Sequence, residues 1–454
     1  MSPNTDFTAA SQLQMPPPLQ PLVITECKLY RRRWTTLALF VLCSMCNAAQ
    51  WIQYSIITNV ITKFYTVDSF AVDFTSLVFM ISYIPLIFPA SWLLDKMGLR
   101  FAMVVGALGT AIGAWIKVPS ADQNRFYLTM IGQLVVASSQ VFILNLPPRL
   151  SAVWFGPKEV STACSIGVFG NQLGIALGFL LPPLIVPNSD DMDSIASNLS
   201  IMFYGTAIIS TVISILIFYF VKAAPPLPPS MAQAVQKSSN SNDPKSFIKS
   251  LWRLIANYGF ILLLISYGIN VGSFYAISTL LNQFILVYFP DSGEDAGRIG
   301  LSIVLAGMLG SVACGCVLDK THLFKETTLV VYAFSLLGMI VYTFTLSCGY
   351  LFVVYLSAIL LGFFMTGYLA VGYELAAELT YPEAEGTSSG MLNAVVQVFG
   401  IVFTLIYGWI FKLAGDIAGN LFLVVALVIG TLFTALIPSD LRRQAAQQKK
   451  SLVN

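Results

Sequence analysis

The sequence predicts an all-α integral membrane protein of about twelve transmembrane helices, arranged as two pseudo-symmetric six-helix bundles. Three observations predict it. Of the 454 residues, 56% are hydrophobic and only 10% are charged, against roughly 25% charged in a soluble domain. Apolar surface must therefore face outward as well as inward. The apolar residues gather into runs long enough to cross a bilayer core of roughly 30 Å, which takes about 20 helical residues. The runs form two sets of six on either side of a polar stretch.

The chain begins with a Pro-rich polar tail, residues 1–30, which has no apolar segment of signal-peptide type. The first bundle is expected over 31–222, with spans at Trp34–Thr62, Phe74–Leu94, Phe101–Lys117, Phe126–Pro147, Ser161–Val186 and Ser200–Val221. Residues 223–253 contain PPLPPS and KSSNSNDPK and read as a flexible linker. The second bundle, 254–438, holds spans at Ala256–Tyr288, Ile299–Leu318, Thr327–Leu346, Tyr350–Gly372, Thr387–Phe411 and Ile417–Ile437. A brief tail, 439–454, closes the chain. Span five carries Gly170, Gly174 and Gly178 on one face, a pattern for close helix packing. Pro182 and Pro183 should bend or end it. Span seven, with three glycines, is a candidate for a tilted or broken helix.

Orientation follows from the basic residues. With the N-terminus cytoplasmic, 19 of the 24 Lys and Arg fall on the cytoplasmic side and 5 on the other. Both tails and the linker are therefore placed inside. The net charge of +2 suggests no nucleic-acid partner. The seven cysteines lie mostly in apolar runs, and Cys43 and Cys46 read as packing residues. The lone His322 reads as a solvated loop residue, so neither a metal site nor a cofactor is expected. Asn198-Leu199-Ser200 is a sequon in the outer loop before span six, too close to that span for ready modification.

The two bundles look like a repeat. The string SWLLDKMGLR after span two matches GCVLDKTHLF after span eight, aligning Asp95 with Asp319 at an offset of 224. The same offset pairs Trp51 with Tyr275. A parallel six-plus-six repeat is the major facilitator arrangement, in which substrate is held near mid-membrane between the halves. The loop around Asp95, Gly98 and Arg100 resembles that superfamily's signature, with Ser91 in place of its first Gly.

As drawn, the spans contain no Asp, Glu, Lys or Arg except Lys117 at an edge. Intramembrane carboxylates are the usual proton relays and cation counter-ions. Their absence argues for facilitated transport down the substrate's own gradient. Glu374 and Glu378 lie nearest, at the cytoplasmic end of span ten. What remains in the core is aromatic and amide: Asn47 and Trp51 in span one, Gln140 in span four, Asn171 in span five, Asn270 and Tyr275 in span seven, and Gln397 in span eleven. Any one of these also suits inter-helix hydrogen bonding. Taken together, rings and neutral amides suit a quaternary ammonium. It has no N–H to donate, and desolvated aromatic faces attract it by about 2 kcal/mol each. Haem suits the core less: sulfur and phenol are present for its iron, but no His, Arg or Lys is there, so its propionates lack cations. No constellation of catalytic type is present, so an enzyme is not expected. At the cytoplasmic ends, Asp95, Arg100, Arg149 and Glu159 of the first half face Asp319, Glu374, Glu378 and Glu385 of the second. Ion pairs between the halves, chiefly Arg149 with Glu374 or Glu378, are expected to gate the inner side; ordinary solvated charge is the alternative.

The strings LYRRRW, QWIQYSIITNV, YIPLIFPASWLLDKMGLR, GAWIKV and SYGINVGSFYAISTLLNQ, with the run RLSAVWFGPKEVSTACSIGVFGNQLGIALGFLLPP, closely resemble the feline leukaemia virus subgroup C receptor-related transporters. The resemblance covers Leu29 to Pro438. It implies a major facilitator fold. It also implies a choline and ethanolamine uniporter in a family long described as carrying haem. The family's cation cage falls by position on Trp51 and Tyr275, with Gln140, Asn171 and Gln397 around it. The expectation is a monomeric facilitative choline carrier at the plasma membrane, with mitochondrial or endomembrane residence as alternatives. Haem transport and a non-transporting membrane receptor are the competing functions.

Overall fold

The computed structural model describes residues 27–156, 159–229, 244–321, 323–381, 383 and 385–439. His322 lies outside these, as do the side chains of Asp95, Asp319 and Glu385. The first span is α1 (Arg32–Ile52), a short 3-10 turn (Ser55–Ile57) and α2 (Thr58–Tyr65). Spans two and three are the two limbs of α3 (Ser69–Lys117). α4 (Phe126–Leu144), α5 (Leu146–Trp154), α6 (Val160–Ile185) and α7 (Met192–Phe220) complete the first half. The amphipathic α8 (Pro244–Ile255) leads into the second half. That half comprises α9 (Tyr258–Tyr288), α10 (Gly293–Thr321), α11 (Phe324–Thr345), α12 (Leu351–Thr380) and α13 (Glu385–Leu436). Among the described residues, eleven stretches are long and apolar enough to cross a membrane, and the last, Thr387–Leu436, folds back on itself to cross twice.

Both reversals inside α3 and α13 occur at glycine. Gly98 has φ +83° and ψ 179°, and Gly415 has φ +82° and ψ −178°. That region of backbone space is essentially closed to residues with a Cβ. Neither site has a neighbouring atom that a Cβ would strike, so backbone conformation alone demands glycine.

The outer surface is apolar, as lipid requires. Phe88, Trp92, Ile201, Leu309, Phe352 and Leu432 are each more than half exposed. Inside, small residues let helices approach closely. A Cβ at Gly174 would lie 2.5 Å from the Met45 carbonyl oxygen, and one at Gly178 would lie 2.7 Å from that of Ala49. The glycine face of α6 therefore packs directly on α1.

Three expectations are corrected here. Span seven is unbroken: α9 runs 31 residues and is buried along most of its length. The break lies in span one, directly after Trp51 and Ile52. Pro182 and Pro183 lie in the last turn of α6, which ends at Ile185 as expected. Ionisable residues also reach further into the protein than the drawn spans allowed. Lys117 is 1% exposed, Glu378 3%, Asp73 5% and Asp416 7%. Each sits at the margin of an apolar run, and burial there comes from packing of helix ends that hydropathy alone assigns to loops. Asn198 lies within α7, so its sequon is helical.

The halves are joined at the end that carries the loops after α2 and within α13. Lys412 Nζ donates to Asp68 Oδ2 at 2.7 Å. Beneath it, Gln283 Nε2 donates to the buried Asp73 carboxylate at 2.8 Å. The Asn59 backbone N–H donates to Asn282 Oδ1 at 3.4 Å. Phe179 of α6 packs over Gly300 of α10.

Candidate functional site

One cavity at the interface of the halves is lined by Ala48 and Trp51 of α1, Phe79 and Met80 of α3, and Gln140 and Leu144 of α4. Asn171 and Ile175 of α6, Tyr275 of α9 and Gln397 of α13 complete the wall. Helical spacing explains these sets. Residues three or four apart share a face, as do Ala48 with Trp51, Gln140 with Leu144, and Asn171 with Ile175. The glycine face of α6 seats Asn171 and Ile175 beside α1. In the second half, Gly268 and Gly272 of α9 pack on Phe399, which brings Gln397 toward Tyr275. Gly400 completes the fit, since a Cβ there would come within 2.7 Å of Tyr275 Cδ2 and 2.9 Å of Met80 Sδ.

The Trp51 and Tyr275 rings touch, with centroids 5.2 Å apart and planes at 59°. Each half thus contributes one of the two touching rings, and Phe79 adds a further aromatic side chain from the first half. Around them stand three neutral amides, and no charged residue lines the space. The cavity is about 30 Å³, room for two or three waters. A trimethylammonium group is larger than this space, so the cavity must widen to admit one.

The structure brings Trp51, Gln140, Asn171, Tyr275 and Gln397 together. Asn47 and Asn270 are not in the cavity wall. Asn47 is fully buried, and its amide donates to Thr110 Oγ1 at 3.0 Å and to the Val136 carbonyl at 3.2 Å. It staples α1 to α3 and α4. Asn270 is fully buried, and neither of its amide atoms has a hydrogen-bond partner among the described residues. Asn171 makes a long contact to Ser44 Oγ at 3.4 Å. Phe79, Met80, Leu144 and Ile175 were missed from sequence. An apolar residue facing a cavity is indistinguishable by type from one facing lipid.

Of the charge set, Arg100 donates to the Phe218 carbonyl at 3.0 Å and Glu159 pairs with Arg33 at 3.1 Å. Both contacts stay within the first half, because α7 and α1 end beside those loops. Glu374 is exposed and Glu378 buried, whereas Arg149 is partly buried. On the second half, Arg253 donates to Glu383 at 2.9 Å, and Ser250 donates to the same carboxylate. No cluster among the described residues could hold a metal ion, and no disulfide joins the cysteines among them.

Comparison with known proteins adds to this geometry. The family model of the Major Facilitator Superfamily matches residues 39–404. The zebrafish (Danio rerio) choline/ethanolamine transporter flvcr2a is 54% identical over 426 residues, covering 94% of this chain and 90% of its own. The Homo sapiens choline/ethanolamine transporter FLVCR2 is 50% identical over 431 residues, covering 95% of this chain and 82% of its own. Among solved structures, an inward-facing bacterial homologue of the human lysosomal transporter Spinster superposes with a TM-score of 0.70 at 14% identity, covering 92% of this chain and 99% of its own. The E. coli fucose:proton symporter FucP superposes at 0.64 and 14% identity, covering 90% and 100%. At such identities the likeness speaks for the fold alone.

Proposed function

The chain belongs to the major facilitator superfamily and, within it, to the FLVCR family of transporters, and from that premise we propose that it carries choline and ethanolamine across a membrane. It is a carrier and not an enzyme. The observation that carries the substrate reading is the cavity where Trp51 and Tyr275, one from each half, meet among three neutral amides. Ring quadrupoles favour a methylated cation, and the desolvated setting raises their worth. Gln140, Asn171 and Gln397 supply donors and acceptors for the hydroxyl. No basic residue lines the space to meet haem propionates, so nothing in the geometry favours haem.

Alternating access follows from the placement of the site. The halves, 31–222 and 254–438, rock about it. The contacts among Asp68, Lys412, Asp73 and Gln283 seal the end that loop charges place outside. The buried ionisable residues Lys117 and Asp73 stand apart from the cavity wall, which fits uniport driven by the substrate gradient. On the inner side, Arg149 with Glu374 or Glu378 forms the opposite gate. The plasma membrane is the expected residence, with both termini cytoplasmic and the chain acting as a monomer. Uptake of labelled choline and ethanolamine by cells expressing the chain tests the reading. Trp51→Ala should abolish uptake while surface expression persists. Haem efflux without choline uptake in matched cells would overturn it.

A further inference from the structure

The first span breaks one residue after the cage tryptophan. α1 ends at Ile52, and the chain continues through a 3-10 turn at Ser55–Ile57 before α2 begins. A helix that stops leaves its last four carbonyls without intrahelical donors. In a lipid-buried protein those groups need partners from elsewhere. Two of them, at Gln50 and Trp51, flank the indole itself.

Side chains of other helices take both. Gln133 of α4 donates through Nε2 to the Gln50 carbonyl at 3.0 Å and to that of Thr75 at 3.3 Å. Ser76 of α3 donates through Oγ to the Trp51 carbonyl at 3.1 Å. The Ser76 hydroxyl also meets Ser55 Oγ at 2.6 Å, on the far side of the break. Lys117, at the opposite end of α3, closes the arrangement. Its ammonium donates to Gln50 Oε1 at 2.6 Å and to Gln133 Oε1 at 3.0 Å. It also lies 5.8 Å from the Tyr54 ring centroid. Both polar atoms of the Gln50 amide then have partners, because its Nε2 donates to the Cys46 carbonyl at 3.1 Å. Lys117 reaches this point because α3 and α4 cross at Gly113 and Gly132. A Cβ on Gly132 would sit 2.7 Å from the Gly113 carbonyl and collide with the Lys117 stem.

None of Lys117, Gln133 and Ser76 lines the cavity. Their bonds end on the two residues that set where the Trp51 indole stands. We propose that Lys117, Gln133 and Ser76 are positioning residues of the cation site, holding the broken first span so that Trp51 presents its face to Tyr275. The proposal rests on the reading of Trp51 as a cation-binding ring. It assigns these residues no contact with substrate.

A double-mutant cycle tests it. Choline dissociation constants are measured by thermal stabilisation of purified protein, full length, for Ser76→Ala, Gln133→Met and Lys117→Met. Each variant is made in the natural chain and with Trp51→Leu. In the natural chain, each should weaken choline on the order of tenfold, from loss of a buried hydrogen bond. With Leu at position 51, the same changes should add less than about twofold, because sites acting through one another are not additive. Intrinsic stability without ligand is recorded for every variant. Ser76→Ala, the mildest change, carries the test if a larger one fails to fold. Equal losses in both backgrounds, or no loss in the natural chain, would overturn the positioning role. If Trp51→Leu alone left choline binding intact, the cation-site reading itself would fall, which separates the two failures.

Discussion

The charge of the ligand, and not merely its shape, should decide what Trp51 contributes. Trp51 is 5% exposed, so a cation meeting its face is desolvated. The upper range of the cation–π attraction then applies, about 2 kcal/mol. At 1.4 kcal/mol per tenfold, replacing Trp51 by Leu should weaken choline by about 30-fold. Dimethylbutanol, choline's uncharged carbon isostere, loses only dispersion contacts, each worth about 0.1–0.2 kcal/mol, and should weaken by a few-fold. Tyr275→Leu should behave alike. The rings touch at 5.2 Å, so the double variant should fall short of the product of the two single effects. The assay is competition by each ligand against labelled choline uptake, with surface expression measured in parallel. Equal losses for charged and uncharged ligand would refute the cation argument.

Three further outcomes are expected. Gly400→Ala places a Cβ 2.7 Å from Tyr275 Cδ2; overpacking of this kind costs about 1–3 kcal/mol, and the melting temperature should fall together with choline affinity. Gly98→Ala meets φ +83° with nothing nearby to strike, so backbone strain of about 1–3 kcal/mol should lower expression and melting temperature. The Asp68 carboxyl is held below the usual carboxylate range, first by the hydrogen bond from Lys412 and then by its charge. A depressed carboxylate contributes above its ordinary pKa and loses that contribution only as pH falls through the lowered value. The Asp68–Lys412 pair should thus be constant between about pH 5 and 8. Lys412→Ala should shift the outward-open population by no more than about fivefold, since an exposed pair is worth less than about 1 kcal/mol. Thiol labelling of a cysteine placed at Asn282 would report it.

Much of the architecture was legible in the chain because lipid imposes it. Twelve apolar runs, a polar linker and a basic bias on one side follow from the cost of burying charge and unpaired backbone in hydrocarbon. Five residues of the cavity wall were also legible. Trp51, Gln140, Asn171, Tyr275 and Gln397 are polar or aromatic where composition is otherwise aliphatic, and the repeat offset pairs the two rings. The same reasoning named Asn47 and Asn270, which stand outside the cavity wall. An amide that staples helices and one that faces a cavity have the same sequence signature.

Sequence alone therefore determined the number of crossings, the division into halves and the short catalogue of core polar residues, since each depends on the one-dimensional pattern of what water and lipid accept. Only the tertiary structure decided which of those residues share a wall, that the first span breaks behind Trp51 while the seventh is unbroken, and that Lys117 turns inward to two amides instead of out to solvent. Those outcomes depend on which helix faces meet. Facing is set by close contacts such as Gly174 on Met45 and Gly132 on Gly113, between residues far apart in the chain.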